Sequence, residues 1–335
     1  MTRHVILAYG RETELWRAAF AVLSFYAWYE GDKTKVQTVV FTDCPKFFTP
    51  YFEELPVSYS LLTPAKLQQM QGPDHYIHRV KLAVVHEVFQ NHPSDNLLFC
   101  DSDTFFVAKA EPLLQGLKTD VSFMHLREFT FVEAIAIYAD FQPAKQDRFP
   151  RKCIELLEGR TFSVGGKEQQ FSKNQYLWNS GVLGLHKSIQ QLMPEICALN
   201  DAIYKGCGWI TSEQIAFSLA LPVKTQLLPT NQYVFHYWGK QQKALMDDLL
   251  VHLNSSYFRN LDLTKRLAHA KALTSKWWHE VQLNQMREGA LYSLSKGQVK
   301  NGIKCAVRAI AAEPFDMAFT RELFKAFKKG LALKY

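Results

Sequence analysis

Asp101-Ser102-Asp103 closes an apolar run, Asn96 to Cys100, that reads as a buried β-strand. Side chains alternate faces along a strand. Aspartates at i and i+2 therefore project the same way, from the edge at which α/β sheets bind their ligands. Two hard oxygen donors so placed suit Mn²⁺ or Mg²⁺, whose other ligands, at roughly 2.0–2.2 Å, a nucleotide diphosphate can supply. Taken alone, an acidic pair at a loop start also solvates a turn or caps a helix, so the surrounding elements decide.

Those elements alternate. Val5–Tyr9 reads as a first strand, Glu12–Tyr29 as a largely apolar helix, Val36–Phe41 as a second strand ending in Thr42-Asp43, Tyr76–Gln90 as a helix and Asn96–Cys100 as the third strand. The pattern predicts an α/β fold: a mostly parallel sheet flanked by helices on both faces, with right-handed crossovers. Asp43 and Asp101 then end at the same edge. Asp120–His125 and Leu177–His186 read as further strands, Ser212–Leu221 as a helix and Gln232–Trp238 as a short strand entering Gly239. Phe129–Lys173 lacks clean periodicity and is rich in aromatic and basic residues, which predicts a substrate loop. Beyond Leu261 the chain turns helical, with Trp277-Trp278 expected to pack. Gln298–Ala312 and Met317–Lys329 form a helical hairpin. The expected division is a sheet domain over 1–262 and a helical C-terminal extension over 263–335.

At 335 residues and 47% hydrophobic, the chain can bury a substantial core. Ala18–Tyr29 is too short to span a membrane, and Gly10-Arg11-Glu12 interrupts any apolar leader, so a cytoplasmic protein is expected. The six cysteines share no repeated spacing, which argues against zinc and against a disulfide framework. The net charge of +7 is concentrated at the end: from Lys296 to Tyr335 there are nine Lys/Arg and three Asp/Glu. That concentration argues against nucleic acid as a partner of the whole chain. It leaves two readings of the tail, a hairpin with a solvated basic side or a peripheral contact with an anionic membrane surface.

The ordered motifs Leu97-Leu98-Phe99-Cys100-Asp101-Ser102-Asp103, Trp178-Asn179-Ser180-Gly181-Val182-Leu183, Ser212-Glu213-Gln214 and His236-Tyr237-Trp238-Gly239 resemble those of the GT-A glycosyltransferases. The likeness is to the nucleotide-sugar-using group that includes glycogenin and the bacterial lipopolysaccharide galactosyl- and glucosyltransferases. It covers about residues 3 to 245. The resemblance implies a GT-A type fold, with Asp101, Asp103 and His236 holding the metal, Ser102 and Asn179-Ser180-Gly181 at the donor, and Gln214 with Glu213 where the acceptor meets the donor sugar. It further implies a basic donor contact from Arg79 and Lys81, and a base and ribose site from Tyr9 and Asp43. After Gly239, Lys240 and Lys243 are the candidates for the diphosphate. The chain departs from the family at Ile215, where an acid is expected, and in lacking the Lys-Pro-Trp that follows the glycine motif. Each residue keeps a plainer alternative, such as a buried histidine at 236, an exposed helix acid at 213, surface charges at 79 and 81, or a helix cap at 43.

The implied activity is metal-dependent transfer of a hexosyl group from a UDP-type sugar to a saccharide or lipid-linked acceptor, with retention, in cell-surface glycan assembly. Two rivals remain. Asp101-Ser102-Asp103-Thr104 also matches the Asp-x-Asp-x-Thr phosphohydrolases, in which the first aspartate is a nucleophile and the second an acid/base. Those enzymes need a later strand-borne aspartate pair, and Asp247-Asp248 sits in a helical pattern. The other rival is a non-catalytic scaffold that works through its basic tail.

Overall fold

Runs of Val, Ile, Leu and Phe with few interruptions build the central strands. The computed structural model describes residues 1–139 and 145–332, so positions 140–144 of the expected substrate loop and the last three residues of the tail lie outside the described residues. The strands are Thr2–Leu7 (β1), Val36–Thr42 (β2), Val57–Leu61 (β3), Asn96–Asp101 (β4), Thr104–Phe106 (β5), Val121–Met124 (β6), Arg127–Thr130 (β7), Phe162–Val164 (β8), Lys167–Gln169 (β9), Tyr176–Trp178 (β10), Val182–Leu185 (β11), Gln226–Pro229 (β12) and Val234–His236 (β13). Seven of these form one sheet in the order β12-β6-β11-β4-β1-β2-β3. All run parallel except β11, which is antiparallel to both β4 and β6. The expected α/β class with a mostly parallel, mixed sheet is therefore what the chain adopts.

The inner strands are buried on both faces, as parallel strands covered by helices must be. Leu97, Leu98 and Phe99 are fully buried, and each contributes about 1.5–3 kcal/mol. The helix Arg79–Asn91 turns Val80, Val84, Val85 and Val88 into the same core. Its first turn thereby fixes Lys81 beside the end of β4.

Two sequence expectations need correction. Phe129–Lys173 is not a bare loop: it carries β7, the helices Phe131–Ala139 and Arg148–Gly159, and the β8–β9 hairpin turned by Gly165 and Gly166, both at positive φ. Aromatic residues on these short elements pack inward at irregular intervals, Phe131 and Phe162 among them, which obscures the period. Leu177–His186 is not one strand either. It breaks at Asn179-Ser180-Gly181, between β10 and β11, where the side chains leave sheet pairing to enter the site described below.

By compactness the described chain divides into two units, one comprising 1–236 with 253–271 and the other 237–252 with the chain from Ala272 onward. The second unit is all helix. It contains Lys240–Leu250, most of Leu263–Ser295, Val299–Ala312 and Met317–Ala332. Leu283, Ala290, Ala306, Ala309 and Phe319 form its core, and Arg287 pairs with both Glu313 and Asp316. Trp277 is buried while Trp278 is 40% exposed, so only the first of the tryptophan pair packs fully.

Candidate metal and donor site

Asp101 ends β4 and Asp103 follows it within the turn to β5. β5 then pairs antiparallel with β13 in a register that sets Thr104 against His236. That pairing carries to the aspartates an imidazole that lies 133 positions beyond Asp103 in the chain. His236 Nε2 lies 3.3 Å from Asp103 Oδ1 and 3.9 Å from Asp101 Oδ2, and one ligand atom from each residue falls within 4.8 Å of the others. Octahedral ligands at roughly 2.0–2.2 Å from a cation are about 3 Å apart, so the spacing and the oxygen/nitrogen donor set fit Mn²⁺ or Mg²⁺. Gly181 is needed here, because a Cβ at that position would overlap the His236 ring.

Charge points the same way. Lys81 is buried, with Nζ 2.9 Å from Asp101 Oδ2, 3.2 Å from Ser180 Oγ and 3.6 Å from Glu213 Oε1. Burial alone would depress its pKa, but Asp101, Glu213 and Asp103 outweigh that and raise it. One ammonium among three carboxylates leaves two negative charges, matching a divalent cation. Burial, reinforced by Asp103, holds the Asp101 carboxyl above its ordinary range even with Lys81 beside it. A cation relieves that penalty.

The same contacts rule out the plainer alternatives for Glu213 and Lys81. Glu213 is no exposed helix acid: it is buried and accepts from Ser180 Oγ (3.1 Å) and Tyr76 Oη (3.2 Å), so both carboxylate oxygens are committed to protein partners. It anchors Lys81 and the Ser180 turn. Lys81 in turn is no exposed surface charge but is held by Asp101 and Glu213.

Asn179 is engaged in the same manner. Its Oδ1 accepts from the Gly181 backbone N–H (2.9 Å) and faces His236 Nδ1 at 2.9 Å, while its Nδ2 donates to Glu128 Oε1 (3.1 Å). Gln214 accepts at Oε1 from the Ser180 backbone N–H (3.2 Å) and donates from Nε2 to Glu128 Oε2 (3.0 Å). Glu128, on β7, thus joins both amides, and burial pushes its pKa up against the pull of those two donors. The sequence reading did not single out Glu128. The signal available was Arg127-Glu128-Phe129-Thr130, a charged–aromatic alternation with strand period that runs into the start of the expected substrate loop. His125 was also missed: it is buried and meets the His236 ring edge-on at 5.2 Å, and burial lowers its pKa to about 3.

At the neighbouring strand ends, Tyr9 follows β1 and Asp43 follows β2. Asp43 Oδ2 accepts from the Gly10 N–H at 3.0 Å, and burial, with the nearby charges of Glu14 and Asp43, raises the Tyr9 pKa. Ser102 donates to Glu14 Oε2 at 2.6 Å, which makes Glu14, on the helix Glu12–Trp28, a further residue of this corner.

One expected contact is differently spent. The Arg79 guanidinium forms a two-pronged pair with Asp201 (2.8 and 3.1 Å) and donates to Met70 O, so it braces two helices instead of standing with Lys81. Gly239, Lys240 and Lys243 belong to the second unit, where the Gly239 N–H donates to Gln242 Oε1 at 3.0 Å and opens the helix Lys240–Leu250.

No protein-family model matches the chain, and no curated protein does. Among solved structures, the apo form of mouse xyloside xylosyltransferase 1 is similar with a TM-score of 0.43 and 12% identity, covering 69% of this chain and 85% of that one. The galactosyltransferase LgtC, in complex with donor and acceptor sugar analogs, is similar with a TM-score of 0.46 and 13% identity, covering 75% of this chain and 94% of that one.

Proposed function

We propose that this chain is a metal-dependent glycosyltransferase that moves a hexosyl group from a nucleotide diphosphate sugar, of UDP type, to a saccharide or lipid-linked acceptor. The observation that carries the reading is the Asp101–Asp103–His236 cluster, two carboxylates and one imidazole brought together at a sheet edge. A divalent cation bound there offsets charge on the diphosphate as it leaves. Tyr9 offers a ring face for the base, and Asp43 an acceptor for ribose hydroxyls. Gln214 lies on the acceptor side of the sugar.

The engagement of the nearby carboxylates supports retention. Glu128 and Glu213 flank Gln214, and the hydrogen bonds of each use both of its oxygens. Neither is poised to strip a proton for back-face attack. In the front-face alternative the acceptor oxygen bonds to the anomeric carbon as the carbon–oxygen bond to the diphosphate breaks, and the acceptor proton passes to the departing diphosphate. Titration calorimetry with UDP tests the reading: binding should tighten at least tenfold when Mn²⁺ replaces a chelator. Identical affinity in both buffers would overturn it. A phosphomonoesterase is not favoured, because Asp247 and Asp248 lie in the helix Lys240–Leu250 rather than at a strand end.

The peripheral-membrane reading of the tail is proposed with it, at the inner face of a membrane where cell-surface glycans are assembled. Among the described residues no helix is long and apolar enough to cross a bilayer. Val299–Ala312 and Met317–Ala332 expose Ile303, Val307 and Phe324 beside Lys304, Arg308 and Lys325. Apolar side chains interleaved with bases suit an anionic leaflet. Sedimentation with vesicles of phosphatidylcholine and phosphatidylglycerol should recover the chain, and recovery equal to that with phosphatidylcholine alone would refute it.

A further inference from the structure

His236 presents two ring nitrogens to different partners, and only one of them can serve a cation. A neutral imidazole carries its proton on one nitrogen and a lone pair on the other, and the hydrogen bond made by the first decides which is which. Nε2 faces the carboxylates of Asp103 and Asp101, while Nδ1 faces Asn179 Oδ1 at 2.9 Å. The end of the amide that meets the ring is itself determined. The Gly181 backbone N–H, which can only donate, points at Asn179 Oδ1, and the Glu128 carboxylate, which can only accept when ionised, faces Asn179 Nδ2. An oxygen is therefore what Nδ1 meets, and it must meet it as Nδ1–H.

We propose that Asn179 is a positioning residue that holds His236 as its Nδ1–H tautomer, leaving the Nε2 lone pair free for the cation, and that Glu128 acts through Asn179. This rests on the metal reading of Asp101, Asp103 and His236, and replaces the expected contact of Asn179 with a donor sugar. Glu128 also holds Gln214 through its second oxygen, and the Ser180 N–H fixes the other end of that amide. One buried carboxylate thus orients the group behind the metal ligand and the group on the acceptor side together. Two consecutive backbone amides, of Ser180 and Gly181, set the two side-chain amides it bridges.

The tautomer can be read in the metal-free protein by ¹⁵N chemical shifts of the histidine rings, assigned through His236→Gln. Wild-type protein should show His236 carrying a proton at Nδ1, whether or not Nε2 also carries one while the cation is absent; a ring protonated at Nε2 with Nδ1 bare would overturn the proposal without recourse to any variant. Asn179→Ala should release the ring to a mixture of tautomers and weaken Mn²⁺ binding by roughly 10- to 100-fold, the range seen for partners behind a metal ligand. Asn179→Asp combined with Glu128→Gln, which keeps an oxygen facing Nδ1 and a donor amide facing the new carboxylate, should restore the tautomer. Asn179→Ala with an unchanged tautomer and unchanged Mn²⁺ affinity would refute the role. Should the wild type bind no Mn²⁺ at all, the metal reading falls, and the ring shifts alone still decide the Asn179–His236 contact.

Discussion

His4 and His236 are both buried on strands of the same unit, yet their surroundings are opposite. His4 sits midway along β1, stacked on Phe25 at 4.2 Å with Phe106 edge-on at 6.2 Å. Its Nδ1 meets Thr38 Oγ1 at 3.1 Å, its Nε2 has no hydrogen-bond partner among the described residues, and burial drives its pKa down to about 3. His236 ends its strand, with carboxylates on one ring nitrogen and a neutral amide oxygen on the other. Burial alone therefore does not mark a functional histidine. Position along the strand does, because a mid-strand side chain meets the core whereas one at the strand end meets loops that can bring charge to it.

Exchange experiments should widen the contrast. The largest effect is expected from Asp103→Ala, which removes a ligand and should abolish measurable Mn²⁺ binding by calorimetry while the far-ultraviolet circular dichroism stays native. His236→Ala, which removes a ligand and not merely a partner behind one, should cost at least about 100-fold in the same titration. His4→Ala should leave it unchanged and instead lose about 2–3 kcal/mol in urea unfolding, through the cavity left against Phe25. A His4→Ala protein that loses Mn²⁺ affinity as His236→Ala does would erase the distinction.

The pH dependence of folding separates the two regions again. His4 and His125 both have pKa values pushed below the ordinary 6.5, to about 3. The stability each contributes is complete above pH 6.5 and is lost as pH falls toward 3, because the unfolded chain takes up a proton the folded chain refuses. The slope is about 1.4 kcal/mol per pH unit for each histidine. Urea midpoints between pH 7 and pH 4 should show it, and His4→Leu should reduce the slope by about half. Asp101 has the reverse sign. Its raised pKa means that the metal-free protein is penalised once pH rises past the ordinary 3.8 and through the folded value. Mn²⁺ should therefore raise the melting temperature more at pH 7 than at pH 4, and an equal gain at both would argue against Asp101 as a ligand. The smallest effect on the metal is expected from Gly181→Ala, whose methyl displaces the buried His236 ring and should weaken Mn²⁺ by about tenfold while costing about 1–3 kcal/mol in urea unfolding.

The residues of β4 and its aspartates were legible because apolar run, strand end and acidic pair are contiguous. The break at Asn179-Ser180-Gly181 was legible as a motif but not as a break, since Leu177 and Val182 continue the apolar pattern across it. Arg79 and Lys81 look alike in sequence, two positions apart at one helix start. Only the packing of Met193–Cys207, which supplies Asp201, and of Ser212–Ala220, which supplies Glu213, gives the one to a surface ion pair and the other to the buried cluster.

Local order was thus written into the chain: alternating strands and helices, two carboxylates projecting from one strand end, and a basic helical tail all follow from neighbouring residues and their periods. Which distant groups those carboxylates meet was settled by the folded structure. The pairing of β5 with β13, the turn that exposes two backbone N–H groups, and the arrival of Glu128 from β7 each require contacts between segments far apart in sequence. Closing such loops costs entropy that no local preference repays, so these contacts form only when the whole sheet and its helices bury their apolar faces together.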